Sequence, residues 1–394
     1  MKIKSDRPIP SARALALLLA LLLALAALAI SPGAARAEEP AEPDAAQSET
    51  PPVASEPSEP EPQPEPATEE AEAEDSPAEA AAPLAAAPLS VPEEAGDDAF
   101  TVTMVDGYPC VAGEVLVQFR RSASDAAVQA ALASADAEGP EEIANNLHVA
   151  EVPEGETIPG YIETLESQPD VLFAQPNYVY YLPETVVVPI SGLPEDRSLK
   201  NTPEDENEDE FRFLQWHLDK IGVPEAWNTT MGDSGVRVAV LDTGVDLTHP
   251  DLVGRIDLEK CKDVVDDDGS VQDDDGHGTH VAGIIAATAN NGIGVAGVAP
   301  GVSLIIVDVF HKVINPEDPD EYILYSTSED ITAGISYAIQ NGADVINMSL
   351  GGNSTDDAEK NAVNEAAAAG VVVVAAAGND NTSATIYPGD LESV

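Results

Sequence analysis

From Val236 onward, short and continuously apolar runs alternate with longer stretches in which apolar residues recur every three or four positions. The runs Val236 to Leu241, Ser303 to Val309, Ala343 to Leu350 and Val371 to Ala376 predict strands. Thr279 to Ala289, Glu329 to Asn341 and Asp356 to Ala369 predict helices, the second with Thr327 or Ser328 as N-cap and Gly342 as its stop. Apolar strands separated by helices predict an α/β domain whose parallel sheet is buried on both faces. In such sheets functional side chains collect beyond the carboxyl ends of the strands.

A smaller pattern precedes this one. Gly113 to Phe119, Asn146 to Pro153 and Val171 to Leu182 predict strands, and Ser124 to Ser134 and Thr157 to Ser167 predict helices. Two helices among strands predict a small α+β sandwich of ferredoxin-like type, expected to be an independent module. Two other segments have no periodicity. Residues 38–99 are Ala, Pro and Glu with no Lys or Arg up to Asp98, which predicts a disordered, extended spacer. Pro183 to Glu210 is acidic and proline-bearing and predicts an exposed linker, a natural place for cleavage. The expected plan is therefore 1–37, 38–99, 100–182, 183–210 and 211–394.

Residues 1–37 have the form of a secretory signal peptide. Lys2, Lys4, Arg7 and Arg13 precede an unbroken apolar run from Ala14 to Ile30, and Ala35-Arg36-Ala37 offers a small-x-small cleavage site. An uncleaved anchor is the alternative, because that run reaches the lower length limit for spanning a bilayer. Composition then narrows the partners. Of 394 residues 43% are hydrophobic, but aromatics are only 4%, so packing rests on Val, Ile, Leu and Ala. A net charge of -55 argues against nucleic acid or an anionic membrane as partner, since both would repel the chain. Cys110 and Cys261 fall in separate segments and are expected to be unpaired.

Chemistry enters at two points. Asp242 follows the apolar run "VAVL" directly, where functional groups collect, and His277 lies between Gly276 and Gly278 at the head of a helix. Either alone reads equally as a turn aspartate or a loop histidine. Together they suggest two thirds of a catalytic triad. Ser349 fails as the third member, because Asn347 stands where a nucleophile elbow needs glycine. His280 has no glutamate partner in a zinc-protease pattern and is expected to be a buried structural histidine.

The segments "AVLDTGVDLTHPDL", "DGHGTHVAGIIA", "VINMSLGG" and "VVVAAAGND" resemble, in this order, the aspartate, histidine, substrate-strand and oxyanion motifs of the subtilisin-like serine endopeptidases, peptidase family S8. The match covers Phe211 to about Pro388, and "GEVLVQF…VLFAQPNYVYY" looks like the inhibitory propeptide of the same family. The resemblance implies a three-layer α/β domain that is incomplete at its C-terminus. It implies that Asp242 orients His277, that His277 moves the proton of a serine hydroxyl, and that Asn379 donates to the oxyanion. Ser349, Leu350 and Gly351, with Ala376, Ala377 and Gly378, would bind the substrate backbone. Asp209, Asp251 and Asn291 would hold a structural Ca²⁺. The "DDDGSVQDDD" run is expected to be a solvated acidic loop.

The resemblance also implies polypeptide substrates, the propeptide as an intramolecular inhibitor, and a secreted monomer with no nucleic-acid or membrane partner after signal cleavage. Its Gly-Thr-Ser nucleophile motif is not found in residues 1–394, and Ser383 lies too close to Asn379 to replace it. The expected explanation is a truncated record of a longer protease, since "ESV" reads as a strand broken midway. The alternative is a catalytically inactive exported relative that binds peptides or serves at the cell surface.

Overall fold

The computed structural model describes residues 101–182, 209–265, 269–314, 322–352, 354, 356–379 and 385–394, all within one compact unit. The signal peptide, the spacer and residues 183–208 of the linker lie outside them. Among the described residues, no helix is long and apolar enough to cross a membrane.

The N-terminal module contains β1 (Val102–Val105), β2 (Tyr108–Phe119), α1 (Asp125–Ser134), β3 (Glu138–Ala144), β4 (Leu147–Glu151), α2 (Ile158–Glu166) and β5 (Val171–Tyr181). Its strands are antiparallel in the order β3-β4-β2-β5, the ferredoxin-like arrangement that two helices among strands predict. Ser124 and Thr157 cap the two helices by accepting the backbone N–H three residues on. Val115, Val117 and Phe119 of β2 turn toward these helices and pack with Leu132, Tyr161 and Leu165. Leu116, on the opposite face of β2, joins Leu147 and Ala358 in a separate cluster.

The second part begins with a 3₁₀ turn, Arg212–Leu214, and the short helices α3 (Trp216–Lys220) and α4 (Val223–Trp227). It continues through β6 (Arg237–Asp242), β7 (Lys262–Asp263), α5 (His277–Ala286), β8 (Ser303–Asp308), β9 (His311–Ile314) and β10 (Tyr322–Thr327). It ends with α6 (Ser328–Gln340), β11 (Val345–Met348), α7 (Asp357–Ala369) and β12 (Val372–Ala375). Five strands form a parallel sheet in the order β12-β11-β6-β8-β7. Alternate residues of each strand enter opposite cores. Val238, Val240, Leu304 and Ile306 pack on α5, whereas Ala239, Leu241, Ile305 and Val307 pack on α6 and α7. A strand apolar at every position is the requirement of a sheet covered on both sides, so the three layers follow from the sequence pattern.

Some expectations need correction. The N-terminal module does not pack independently, because β5 pairs antiparallel with β10, which pairs with β9, extending its sheet to seven strands. The strands His311–Ile314 and Tyr322–Thr327, to which the sequence pattern gives no element, therefore extend a sheet begun two hundred positions earlier. Its outer face also rests on α7, where Leu116 and Leu147 are almost wholly buried at 0% and 1% exposure. Burying each such leucine stabilises the fold as a whole by about 1.5–3 kcal/mol. Both cysteines are free, as expected.

Candidate functional site

Asp242 is the last residue of β6, at the carboxyl edge of the parallel sheet, and it is 1% exposed. His277 is the first residue of α5, after Gly276, whose φ of 109° turns the chain into the helix. Its ring is 18% exposed, and Nδ1 lies 2.6 Å from Asp242 Oδ1. The same carboxylate oxygen accepts the Thr243 N–H at 2.9 Å, which fixes its orientation. Gly278 permits this convergence, because a Cβ there would collide with the carbonyl oxygen of Gly244.

Burial lowers the His277 pKa, but the charge and hydrogen bond of Asp242, with Asp275 and Asp273 behind it, outweigh burial and raise it above 6.5. The imidazole therefore holds its proton more strongly than it would free in water. Asp242 Oδ2 is buried and has no hydrogen-bond partner among the described residues. Strand register places Asp308 beside Asp242 and Asp263 beside Asp308. Burial, followed by the nearby carboxylates Asp263, Asp242 and Asp273, lifts the Asp308 pKa to about 8 against the opposing Phe310 N–H bond.

Asp273 shapes the loop before the histidine, and sequence reasoning placed it only in a solvated acidic run. Instead it is half-buried and accepts N–H bonds from Asp275, Gly276 and Thr279 at 3.0, 2.8 and 2.8 Å. It also accepts the hydroxyls of Thr243 and Thr279 at 3.0 and 2.5 Å. Thr243 in turn accepts the Gly278 N–H at 2.9 Å, linking the aspartate turn to the histidine helix. Burial raises the Asp273 pKa, yet this set of donors outweighs it and holds the carboxyl below its ordinary value. An aspartate two to six positions before several small or hydroxyl residues was the available signal. Residues 266–268 of the run lie outside the described residues. His280 also differs from expectation: it is exposed, because Gly278, Val281, Ala282 and Ile285 form the buried stripe of α5 and position 280 falls outside it.

Ser349, Leu350 and Gly351 follow β11, and Ala376, Ala377, Gly378 and Asn379 follow β12, so both groups lie at the same sheet edge as Asp242. Leu350 is buried, Ser349 accepts a bond from Asn347 Nδ2 at 3.1 Å, and Asn379 is exposed. The neighbouring Gly352 pairs with Tyr387 through two backbone bonds of 2.9 Å. Opposite this segment, Val179, Tyr180 and the backbone of Tyr181 run antiparallel to Thr327, Ser326 and Tyr325. The last strand of the N-terminal module thus lies extended on the rim of the second part.

Asp209, Asp251 and Asn291 also come together. Asp209 is buried and accepts the N–H groups of Asn290, Asn291 and Gly292 at 2.8, 2.7 and 3.2 Å. Asp251 accepts the Val295 N–H at 2.9 Å and Asn291 Nδ2 at 2.8 Å. Two carboxylates and an amide around one tight loop are the oxygen chemistry that suits a hard cation. In this arrangement the amide nitrogen of Asn291 faces Asp251, while its oxygen accepts the Ile293 N–H at 2.8 Å.

Both parts of the chain are similar to known proteins. Residues 233–394 match the family model described as the subtilase family, and residues 97–177 match that of the fervidolysin N-terminal prodomain. The chain is 34% identical over 287 residues to a thermophilic serine proteinase of Bacillus sp. (strain AK1), covering 72% of this chain and 63% of that protein. It is 41% identical over 182 residues to thermitase of Thermoactinomyces vulgaris, covering 46% of this chain and 61% of thermitase. Among solved structures, fervidolysin from Fervidobacterium pennivorans, a keratinolytic enzyme related to subtilisin, aligns with a TM-score of 0.56 at 28% identity. That alignment covers 73% of this chain and 43% of fervidolysin. The chain thus spans less than two thirds of the length of each of these relatives.

Proposed function

We propose that this chain, a subtilase-family domain over residues 233–394 behind a fervidolysin-type prodomain over residues 97–177, is the proenzyme portion of a secreted serine endopeptidase. The observation that carries the reading is the 2.6 Å bond between His277 Nδ1 and Asp242 Oδ1 at the carboxyl edge of the sheet. That bond keeps the proton on Nδ1 and leaves the Nε2 lone pair free to act as general base.

In the proposed reaction Nε2 takes the proton of a serine hydroxyl as its oxygen attacks the scissile carbonyl carbon. The same proton passes to the leaving amine as the C–N bond breaks, and water then repeats the sequence on the acyl-enzyme. Asn379 would donate its side-chain N–H to the oxyanion. The substrate backbone would lie between β10 and Ser349–Leu350–Gly351, with Ala376, Ala377 and Gly378 on the other side. The antiparallel seating of β5 on β10 supports the prodomain as an intramolecular inhibitor that holds this edge as a substrate would. Asp209, Asp251 and Asn291, the last with its amide turned over, would hold a Ca²⁺ that ties the loop at 290–295 to the N-terminal end of the domain. Residues 1–37 support export.

The test is direct. The coding sequence past Val394 is read for a Gly-Thr-Ser motif, and the extended polypeptide is expressed, freed of its prodomain and treated with a fluorophosphonate probe. We expect labelling of that serine and casein hydrolysis that His277→Ala reduces by about 10⁴ or more. A stop codon directly after Val394, or an unlabelled and inert protein, would overturn the reading.

A further inference from the structure

Tyr180, near the end of β5, is 1% exposed although it belongs to the segment an activated enzyme must release. Its backbone pairs with Ser326 of β10, and its ring lies against Gly352, where any side chain would overlap the ring. The phenol hydroxyl donates to Asp356 Oδ2 at 2.9 Å and stands 3.4 Å from Glu359 Oε2, with Ser354 as a further hydrogen-bond partner. An apolar slot would have served a leucine or phenylalanine equally well. This slot ends in two buried acids.

The floor is held by the subtilase domain. Asp356 is the N-cap of α7 and 3% exposed; its Oδ1 accepts the Glu359 N–H at 2.9 Å, and its Oδ2 accepts the Ser328 hydroxyl from α6. Gln175 of the prodomain adds a bond of 2.9 Å to Oδ1. Glu359 is 1% exposed, and its Oε1 is buried with no partner among the described residues. Departure of Tyr180 would leave Asp356 Oδ2 with the Ser328 hydroxyl but one donor short, facing an open slot beside the sheet edge, and losing a donor to a buried carboxylate is costly.

The geometry points to this slot as a tyrosine-selective subsite, in which Asp356, beside Glu359 and Ser354, recognises the phenol of a tyrosine in an extended polypeptide laid along β10. The assignment rests on the endopeptidase reading, in which Tyr180 stands in for that substrate residue. A phenylalanine in the same place removes one donor from a buried carboxylate, which corresponds to roughly a tenfold to hundredfold preference for tyrosine.

The chain with Tyr180→Gly tests this without any hydrolysis. The truncation opens the slot to small probes, and thermal shift compares p-cresol, which carries the tyrosine hydroxyl, with toluene, which lacks it. We expect p-cresol to bind at least about tenfold more tightly than toluene, and this preference to fall about tenfold when Asp356→Asn is added. Toluene binding as tightly as p-cresol, or a preference untouched by Asp356→Asn, would overturn the assignment. Should Tyr180→Gly not fold, Tyr180→Phe provides the same decision: amide protection of β5 is expected to drop about tenfold, and protection equal to the parent chain overturns the proposal. A chain that selects p-cresol while the extended polypeptide, freed of its prodomain, stays inert refutes the endopeptidase reading alone, whereas an active extended protease with no phenol preference refutes only the subsite.

Discussion

Replacing Glu329 with glutamine is expected to remove most of the pH dependence with which the N-terminal module docks on the second part. Glu329 lies in the first turn of α6 and faces the N-terminal module, where Asn177 Nδ2 donates to it at 3.3 Å and to Glu114 at 3.0 Å. Burial first, then the like charges of Asp330, Glu114 and Glu141, lift its pKa to about 8, with the Asn177 bond opposing. Glu114 is raised too, by burial first and by Asp330 and Glu151, against its Asn177 bond and the charge of His311. In the undocked chain the Glu329 carboxyl returns to water and to 4.5.

The sign follows from proton counting. The docked state holds a proton that the undocked state releases, so docking is strongest below about pH 4.5 and weakens as pH rises to about 8. The loss is about 1.4 kcal/mol, or tenfold, for each pH unit, with a ceiling of about 5 kcal/mol for the full span. Hydrogen exchange of the β5 amides at Val179 and Tyr180, measured between pH 5 and 9 and corrected for intrinsic rates, reads docking directly. The parent chain should lose about tenfold protection per pH unit up to pH 8, and Glu329→Gln should flatten the curve to the residual slope of Glu114. A flat parent curve, or an unchanged slope in the variant, would refute the reasoning.

Three further outcomes are expected. Asp242→Asn should lower the His277 pKa, because it removes the charge and bond that raise it; NMR titration of the imidazole checks this, and an unmoved value would contradict the site. Asp308→Asn should stabilise the protein above pH 8. The parent's Asp308 keeps a proton to about pH 8 when folded and to 3.8 otherwise, so its stability falls as pH rises between them, by at most about 6 kcal/mol; urea melts at pH 5 and pH 9 should show a gap that is about 4 kcal/mol larger at the higher pH, and an equal gap at both would contradict it. Finally, Ca²⁺ at a hundred times its dissociation constant should stabilise the chain by about 2.7 kcal/mol, and Asp251→Asn should abolish the gain in a thermal melt.

The sequence by itself determined the layered domain and the placing of Asp242 and His277 at one edge of its sheet. A parallel strand covered on both faces must be apolar at every position, so Val236 to Leu241 and Ser303 to Val309 announce themselves without any knowledge of their neighbours. Asp242 and His277 were legible for the same local reason, one at a strand's carboxyl end and the other at a helix start between glycines. The capping box of Thr327 and Asp330, which starts α6, is likewise written within four residues.

Tertiary structure decided what depends on contacts between distant positions. That Asp242 and His277 meet at 2.6 Å requires Gly278 to pass the backbone of Gly244, and that His277 is held there requires Asp273 and Thr243. The hairpin β9–β10 has no strong pattern of its own, and only the edge of β5 gives it a place in a sheet. The raised pKa values of Asp308 and Glu329, and the slot around Tyr180, arise because folding brings acids from separate elements together away from water. Periodicity records which way a residue faces along its own strand or helix; it carries no record of which charge another part of the chain will set beside it.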